Sequence, residues 1–231
     1  MSETSSGILE GLKLLFSGSE IYQIIGLSLF VSILATLFAA IAGVPLGVFL
    51  ALKNFRGKSL ILLVLNTLMG LPPVVLGLII YLLFSYSGPL GRLDFLFTAK
   101  AIILAQALLA FPIISALTFS AISSLEARVR FTALSLGASR FQMVMTLMQE
   151  ARYVMIAAIM AGFGRAIAEF GASLIVGGNI KGFTRIMTTT IAMETGKGNF
   201  EFAIALGVIL LILSLIVNFA AFYLPHKLRQ V

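Results

Sequence analysis

The 231-residue chain is 60% hydrophobic and 11% charged, with a mean hydropathy of +1.10, whereas a soluble domain carries about 25% charged residues. One core cannot bury that much apolar surface and still present a polar face to water, so a water-soluble globule is excluded, and so is disorder. The lack of cysteine excludes disulfides, thiolate catalysis and Cys-ligated metal, the single histidine, His226, excludes multi-histidine centres within one chain, and the net charge of +7 lies between apolar spans rather than on one basic face, which argues against nucleic acid.

In chain order, residues 1–20 form an acidic lead-in, with Glu3, Glu10 and Glu20 against Lys13. This is the wrong charge for a secretory signal, so no cleavage is expected. Ile8, Leu9, Leu12, Leu15 and Phe16 recur at helical spacing and predict a short helix lying on the membrane surface, a frayed tail being the plain alternative. Residues 21–52, 59–91, 101–125 and 202–225 contain no charge at all, and each exceeds the roughly 20 apolar residues that a spanning helix needs. A fifth span, 153–176, is interrupted only by Arg165 and Glu169. The fold class is therefore an all-α membrane protein with about five transmembrane helices. Its expected divisions are an interfacial segment 1–20, a membrane domain 21–224 with a cytoplasmic loop at 123–152, and a tail 225–231.

Nine basic residues, Lys53, Arg56, Lys58, Arg128, Arg130, Arg140, Arg152, Lys227 and Arg229, lie on one side of the predicted membrane against only Glu126 and Glu150. The positive-inside rule places that side in the cytoplasm, with the N-terminus outside and the C-terminus inside.

Within the spans, Pro72 and Pro73 break the second one, and freed carbonyls survive in lipid only where protein or water satisfies them. Two adjacent prolines point to a pore or gate position, against the plainer reading of a packing kink. Pro45 and Pro112 are single and read as kinks. Residues 123–152 contain one glycine and no proline, which predicts two short helices meeting near Gly137. Ala133, Leu134 and Leu136 give the first of them an apolar face for a partner or for the protein's own helix ends. Arg165 and Glu169 are four residues apart and share one helix face. They read as a clamp between helices or as lining of the translocation path. The stretch 179–199 is rich in threonine and carries Lys181, Arg185 and Lys197. It predicts a surface or re-entrant helix at the pore mouth, with Thr188, Thr189 and Thr190 as a group of candidate oxyanion donors. Gly43, Gly47, Gly162 and Gly164 are candidate close-approach positions between helices.

The segment FTALSLGASRFQ at 131–142 resembles the EAA loop of ABC-importer permeases, whose pattern is Glu-Ala-Ala, three residues, then Gly. Ala133 and Gly137 match it. Phe131 stands where Glu is usual and Thr132 where Ala is usual, while Leu147, Met148, Gln149 and Glu150 occupy the place of a later Ile-x-Leu-Pro. Further stretches resemble the oxyanion branch of that family. Gly70-Leu71-Pro72-Pro73-Val74-Val75-Leu76-Gly77, Gly88-Pro89-Leu90-Gly91 and Gly164-Arg165-Ala166-Ile167-Ala168-Glu169-Phe170-Gly171-Ala172 are similar to blocks of molybdate and tungstate permeases. Gly177-Gly178-Asn179-Ile180 and Thr184-Arg185-Ile186-Met187-Thr188-Thr189 are closer to the tungstate than to the molybdate type.

The resemblance implies a type I ABC importer permease of a prokaryotic plasma membrane, translocating tungstate, or molybdate or sulfate, by alternating access. It implies a second copy of the chain, a cytoplasmic ATPase dimer, an extracytoplasmic substrate-binding protein and a lipid bilayer as partners. Phe131, Thr132, Ala133, Leu134, Ser135, Leu136, Gly137, Ala138, Ser139 and Arg140 would form the coupling helix that docks on the ATPase. No Gly-x-x-x-x-Gly-Lys-Ser/Thr loop is present, so the chain is not expected to be an enzyme, and no catalytic residue, metal or cofactor is assigned. A self-contained channel or secondary carrier is the reading from another class, and it leaves the EAA-like loop unexplained.

Overall fold

The structure, a computed structural model, describes residues 19–228. The surface helix expected over residues 8–16 lies outside the described residues. The chain forms α1 (Ser19–Leu52), α2 (Lys58–Met69), α3 (Pro73–Phe84), α4 (Ala99–Ser135), α5 (Arg140–Ile167), α6 (Gly171–Gly177), α7 (Met187–Gly196) and α8 (Phe200–Leu228), with one 3-10 turn at Gly91–Leu93. Among the described residues α1, α4, α5 and α8 are each long and apolar enough to cross a bilayer, and α2 with α3 forms a pair bent by 103° that completes a fifth crossing if counted as one broken span.

The second span shows how the sequence sets its own break. Pro72 is extended, with φ −61° and ψ 124°, and Pro73 opens α3 at a position that needs no amide donor. The Gly70 and Leu71 amides turn back onto the Thr67 and Leu68 carbonyls, while the Pro72 carbonyl accepts from Val75 and Leu76. The break thus leaves little backbone unpaired in an environment that penalises it.

Four boundaries differ from the expectation. The helical part of run 59–91 ends at Phe84, because Ser85, Gly88, Pro89 and Gly91 follow it. The two short helices expected around Gly137 are not separate elements: they are the last turns of α4 and the first turns of α5, since nothing between 113 and 136 interrupts a helix. The fourth span ends at Ile167 rather than 176, and the apolar remainder forms the separate seven-residue helix α6. At the other end of the chain α8 continues to Leu228, into the expected tail.

α1 lies against α4 over most of its length, α4 returns through α5, α8 packs on α5 and α7, and α3 packs on α6. Val31, Ile80, Ile102, Leu109, Val176 and Ile186 are buried at the centre of one core, and Ile21, Ile24, Ile167, Met187 and Leu206 form another. Phe30, Phe38, Leu63, Leu82, Leu211 and Leu215 point outwards, as they must where lipid is the solvent.

The α1–α4 crossing depends on a missing side chain. A Cβ built on Gly47 would sit 2.7 Å from both the Ser115 carbonyl oxygen and the Thr118 Cβ. Gly43 and Gly162 lie at similar crossings, whereas Gly164 faces open space. Gly47→Leu is expected to lower the thermal midpoint and folded yield of the detergent-solubilised chain, with about 1–3 kcal/mol of overpacking. Gly26→Leu, at a glycine with nothing within 4 Å, serves as the neutral control. Equal behaviour of the two variants in a thermal melt would contradict the crossing.

Candidate functional site

The fourth span stops because Glu169 turns inward. Residues 168–170 are non-helical, and Glu169, 1% exposed, places one carboxylate oxygen 2.9 Å from Arg165 Nη1 and the other 2.8 Å from the Ala172 amide. The first contact neutralises a charge that would be costly in the membrane. The second satisfies one of the orphan amides that begin α6. The Glu169 carbonyl in turn accepts the Thr188 hydroxyl at 2.7 Å. One residue therefore joins α5, α6 and α7.

The threonine group expected at a pore mouth is turned inward. Thr189 and Thr190 are each 1% exposed. Thr189 Oγ1 accepts from the Ile186 amide and donates to the Ile186 carbonyl, and Thr190 Oγ1 donates to the same carbonyl. These hydroxyls close the first turn of α7. The Ser28 hydroxyl of α1 accepts the Met187 amide at 2.8 Å, and Thr184 Oγ1 donates to the Gly177 carbonyl and accepts from the Ile180 amide. The segment is packed into the protein through Ile186 and Met187 rather than laid over its surface.

Pro72 and Pro73 lie beside this knot. α3 runs along α6, so closely that a Cβ on Gly77 would reach 2.8 Å from the Ala172 Cα and one on Gly171 would reach 2.7 Å from Val74 Cγ2. The helix breaks at 70–72 and 168–170 are thereby brought together.

At the α1 N-terminal end Glu20 is held by Lys181 at 2.6 Å and Arg185 at 3.3 Å. Close by, the Lys197 ammonium, 2.9 Å away, and the Asn199 amide hold the Glu194 carboxyl below the ordinary carboxylate range, against the opposing push of burial.

At the opposite end the α4–α5 hairpin turns on Gly137, whose φ of +75° belongs to the left-handed region. The Ala138 amide returns to the Ala133 carbonyl at 3.0 Å. Ser139 and Gln142 exchange side-chain to backbone bonds that start α5. Phe131, Leu136 and Phe141 stand out from the tip, 74%, 81% and 74% exposed. Val129, Thr132, Ala133, Leu136, Ala138, Thr146 and Glu150 line a groove of about 430 Å³ there.

The structure thus brings Arg165, Glu169 and Thr188 into one network, places Thr189 and Thr190 next to it and Pro72 and Pro73 against it, and keeps residues 131–140 together at the hairpin. Sequence reasoning missed Ser28, Ser32 and Gln106. Ser32 Oγ donates to Gln106 Oε1 at 3.1 Å in the α1–α4 interface. A glutamine inside the charge-free run 101–125 was the available signal.

Among the described residues, broken helices held by internal polar contacts, four or five crossings and an exposed apolar hairpin tip define a multi-pass helical membrane protein. Residues 43–230 match the family model described as binding-protein-dependent transport system inner membrane component, and the chain belongs to that family of inner-membrane permeases. It is 40% identical to the tungstate uptake system permease protein TupB of Peptoclostridium acidaminophilum over 228 residues, covering 98% of this chain and 100% of that one. It is 43% identical over 201 residues to a probable anion ABC transporter permease protein of Haloferax volcanii, covering 85% of this chain and 87% of the relative. The fold is shared with a chain of the MetNI methionine ABC transporter in inward-facing conformations, with a TM-score of 0.73 at 18% identity over 90% of this chain and 95% of that one.

Replacing Glu169 tests the knot. Glu169→Ala leaves Arg165 and the Ala172 amide without their acceptor and is expected to destabilise by about 3–5 kcal/mol. Glu169→Gln keeps an acceptor for the amide and loses less. Thermal melts and yield of the assembled membrane complex measure both. Full stability and assembly with abolished transport would contradict a bracing role and favour a direct role in the path.

Proposed function

We propose that this chain is the membrane-spanning subunit of an ATP-driven tungstate importer. The observation that carries the substrate is the 40% identity to a tungstate permease along 98% of the chain. Two copies related by a two-fold axis enclose the path, since five crossings make a thin wall for one. A cytoplasmic ATPase dimer and an extracytoplasmic substrate-binding protein complete the machine. In this reading the hairpin tip and the C-terminus face the cytoplasm and the N-terminus lies outside, which the basic residues flanking the spans support.

In this reading residues 131–140 are the docking wedge for the ATPase. Phe131, at the position where the family pattern has glutamate, makes the docking contact apolar rather than ionic, with Leu136 and Phe141 contributing to the same exposed surface. The breaks at Pro72–Pro73 and at 168–170 form the gate framework, because packed interfaces between broken helices have discrete alternatives rather than continuous give. Arg165 and Glu169 brace that framework, and Thr188, Thr189 and Thr190 hold the start of α7. ATP binding closes the ATPases, draws the hairpins together and turns the path from inward to outward facing.

The test is tungstate uptake into proteoliposomes holding this chain, its ATPase and its binding protein. ATP-dependent uptake is expected. Gly137→Asp, which disturbs the turn of the wedge, is expected to leave the complex assembled and lower uptake per ATP hydrolysed by about 5- to 150-fold, the range of a lost coupling of about 1–3 kcal/mol. Unchanged uptake in that variant contradicts the wedge, and anion flux through the chain alone without nucleotide contradicts the importer.

A further inference from the structure

The polar cluster at the start of α1 holds more positive charge than it neutralises. Glu20 is gripped by two cations that lie 161 and 165 residues further along the chain, Lys181 and Arg185. The Lys181 contact is short, at 2.6 Å, and the Arg185 contact is long, at 3.3 Å. Arg185 Nε is buried and has no acceptor among the described residues. The third cation of the cluster, Lys197, is occupied by Glu194. Among the described residues, one carboxylate therefore serves two cations, and one positive charge has no carboxylate of its own.

Open space lies around this triad. A cavity of about 350 Å³ has Glu20, Gln23, Phe30, Lys181 and Arg185 in its wall, and another of about 250 Å³ has Glu20, Lys181, Arg185, Lys197 and Asn199 in its wall. The three ionic side chains are common to both, so they stand between two spaces that each exceed the size of a small inorganic anion. The cations differ in freedom. Lys181 is 67% exposed and can swing, whereas Arg185 is 17% exposed and is held in place.

We infer that Lys181 and Arg185 form a receiving site for a doubly charged tetrahedral oxyanion, and that the Glu20 carboxylate is an internal occupant which the anion displaces. A carboxylate offers two oxygens in one plane and a single charge. A tetrahedral oxyanion offers four oxygens and twice the charge, so it can take the Lys181 ammonium, the Arg185 Nη donors and the idle Nε donor together. Glu20 keeps the site from holding the anion too tightly for onward release. The inference rests on the reading of an oxyanion as substrate, and it adds a place on this chain where that substrate is first held.

The test is calorimetric titration of the full chain in nanodiscs of zwitterionic lipid with sodium tungstate, and separately with sodium sulfate, at ionic strength fixed by sodium chloride. Glu20→Gln is expected to tighten tungstate binding by about three- to tenfold, the scale of two released partly exposed pairs. Adding Arg185→Gln to that variant is expected to remove the gain. Lys181→Gln alone, at an exposed position, is expected to weaken wild-type binding without changing the thermal melt. Binding indifferent to Glu20→Gln, or a gain that survives loss of Arg185, overturns the site. The same titration in nanodiscs containing phosphatidylglycerol distinguishes a lipid headgroup: loss of the tungstate gain there assigns the cations to lipid and also overturns the inference. Uptake by the complete transporter separates the two readings, because tungstate transport with no response to Glu20→Gln keeps the importer and removes the site. A gain in sulfate and tungstate binding without tungstate transport does the reverse.

Discussion

A single buried carboxylate organises the half of this molecule that lies away from the hairpin tip. Glu169 ends α5, supplies an acceptor to the start of α6, neutralises Arg165 and lends its carbonyl to Thr188 of α7. In water such a residue would be one polar contact among many. In hydrocarbon a helix break exposes amides and carbonyls that have nowhere else to turn, and a buried charge must be paired where it stands. Glu169 meets both demands at once, so the break can exist in an otherwise apolar stretch.

The rest of the arrangement follows from that placement. With α6 fixed, α3 can lie along it at a distance that only small residues permit, through Gly77, Gly171 and Ala172. With α7 fixed, Ser28 of α1 can accept the Met187 amide, and the loop before α7 can bring Lys181 and Arg185 to Glu20. The hairpin tip at Gly137 joins α4 and α5, and α5 runs from that tip to the Glu169 network. On the proposed reading, force applied at the tip reaches the paired breaks through these rigid helices.

Much of this was legible in the sequence, and the exceptions have physical reasons. Charge-free runs marked the crossings, the adjacent prolines marked the break in the second one, and Gly137 marked the hairpin turn. The end of α5 was hidden because GASLIVG is as apolar as a spanning helix; hydropathy registers solvent preference and does not register where a backbone turns. Helix was legible on both sides of Gly137, but its continuity with the spans was hidden, because the polar residues between 123 and 152 interrupt the apolar runs without interrupting the helices. The threonines at 188–190 looked like ligand donors because a hydroxyl count cannot show that the hydroxyls cap their own helix and neighbouring backbone. Glu20 was legible as an acid at a helix start but not as the partner of Lys181, since only the folded chain brings positions 161 apart together.

Amide hydrogen exchange on the chain and its Glu169→Ala variant measures the central constraint most directly. The account predicts that protection falls across residues 170–190, the Ala172 amide first, while the buried stretch 101–110 of α4 keeps its protection. Unchanged protection across 170–190, or an equal loss in both segments, would contradict the claim that this carboxylate holds α5, α6 and α7 together.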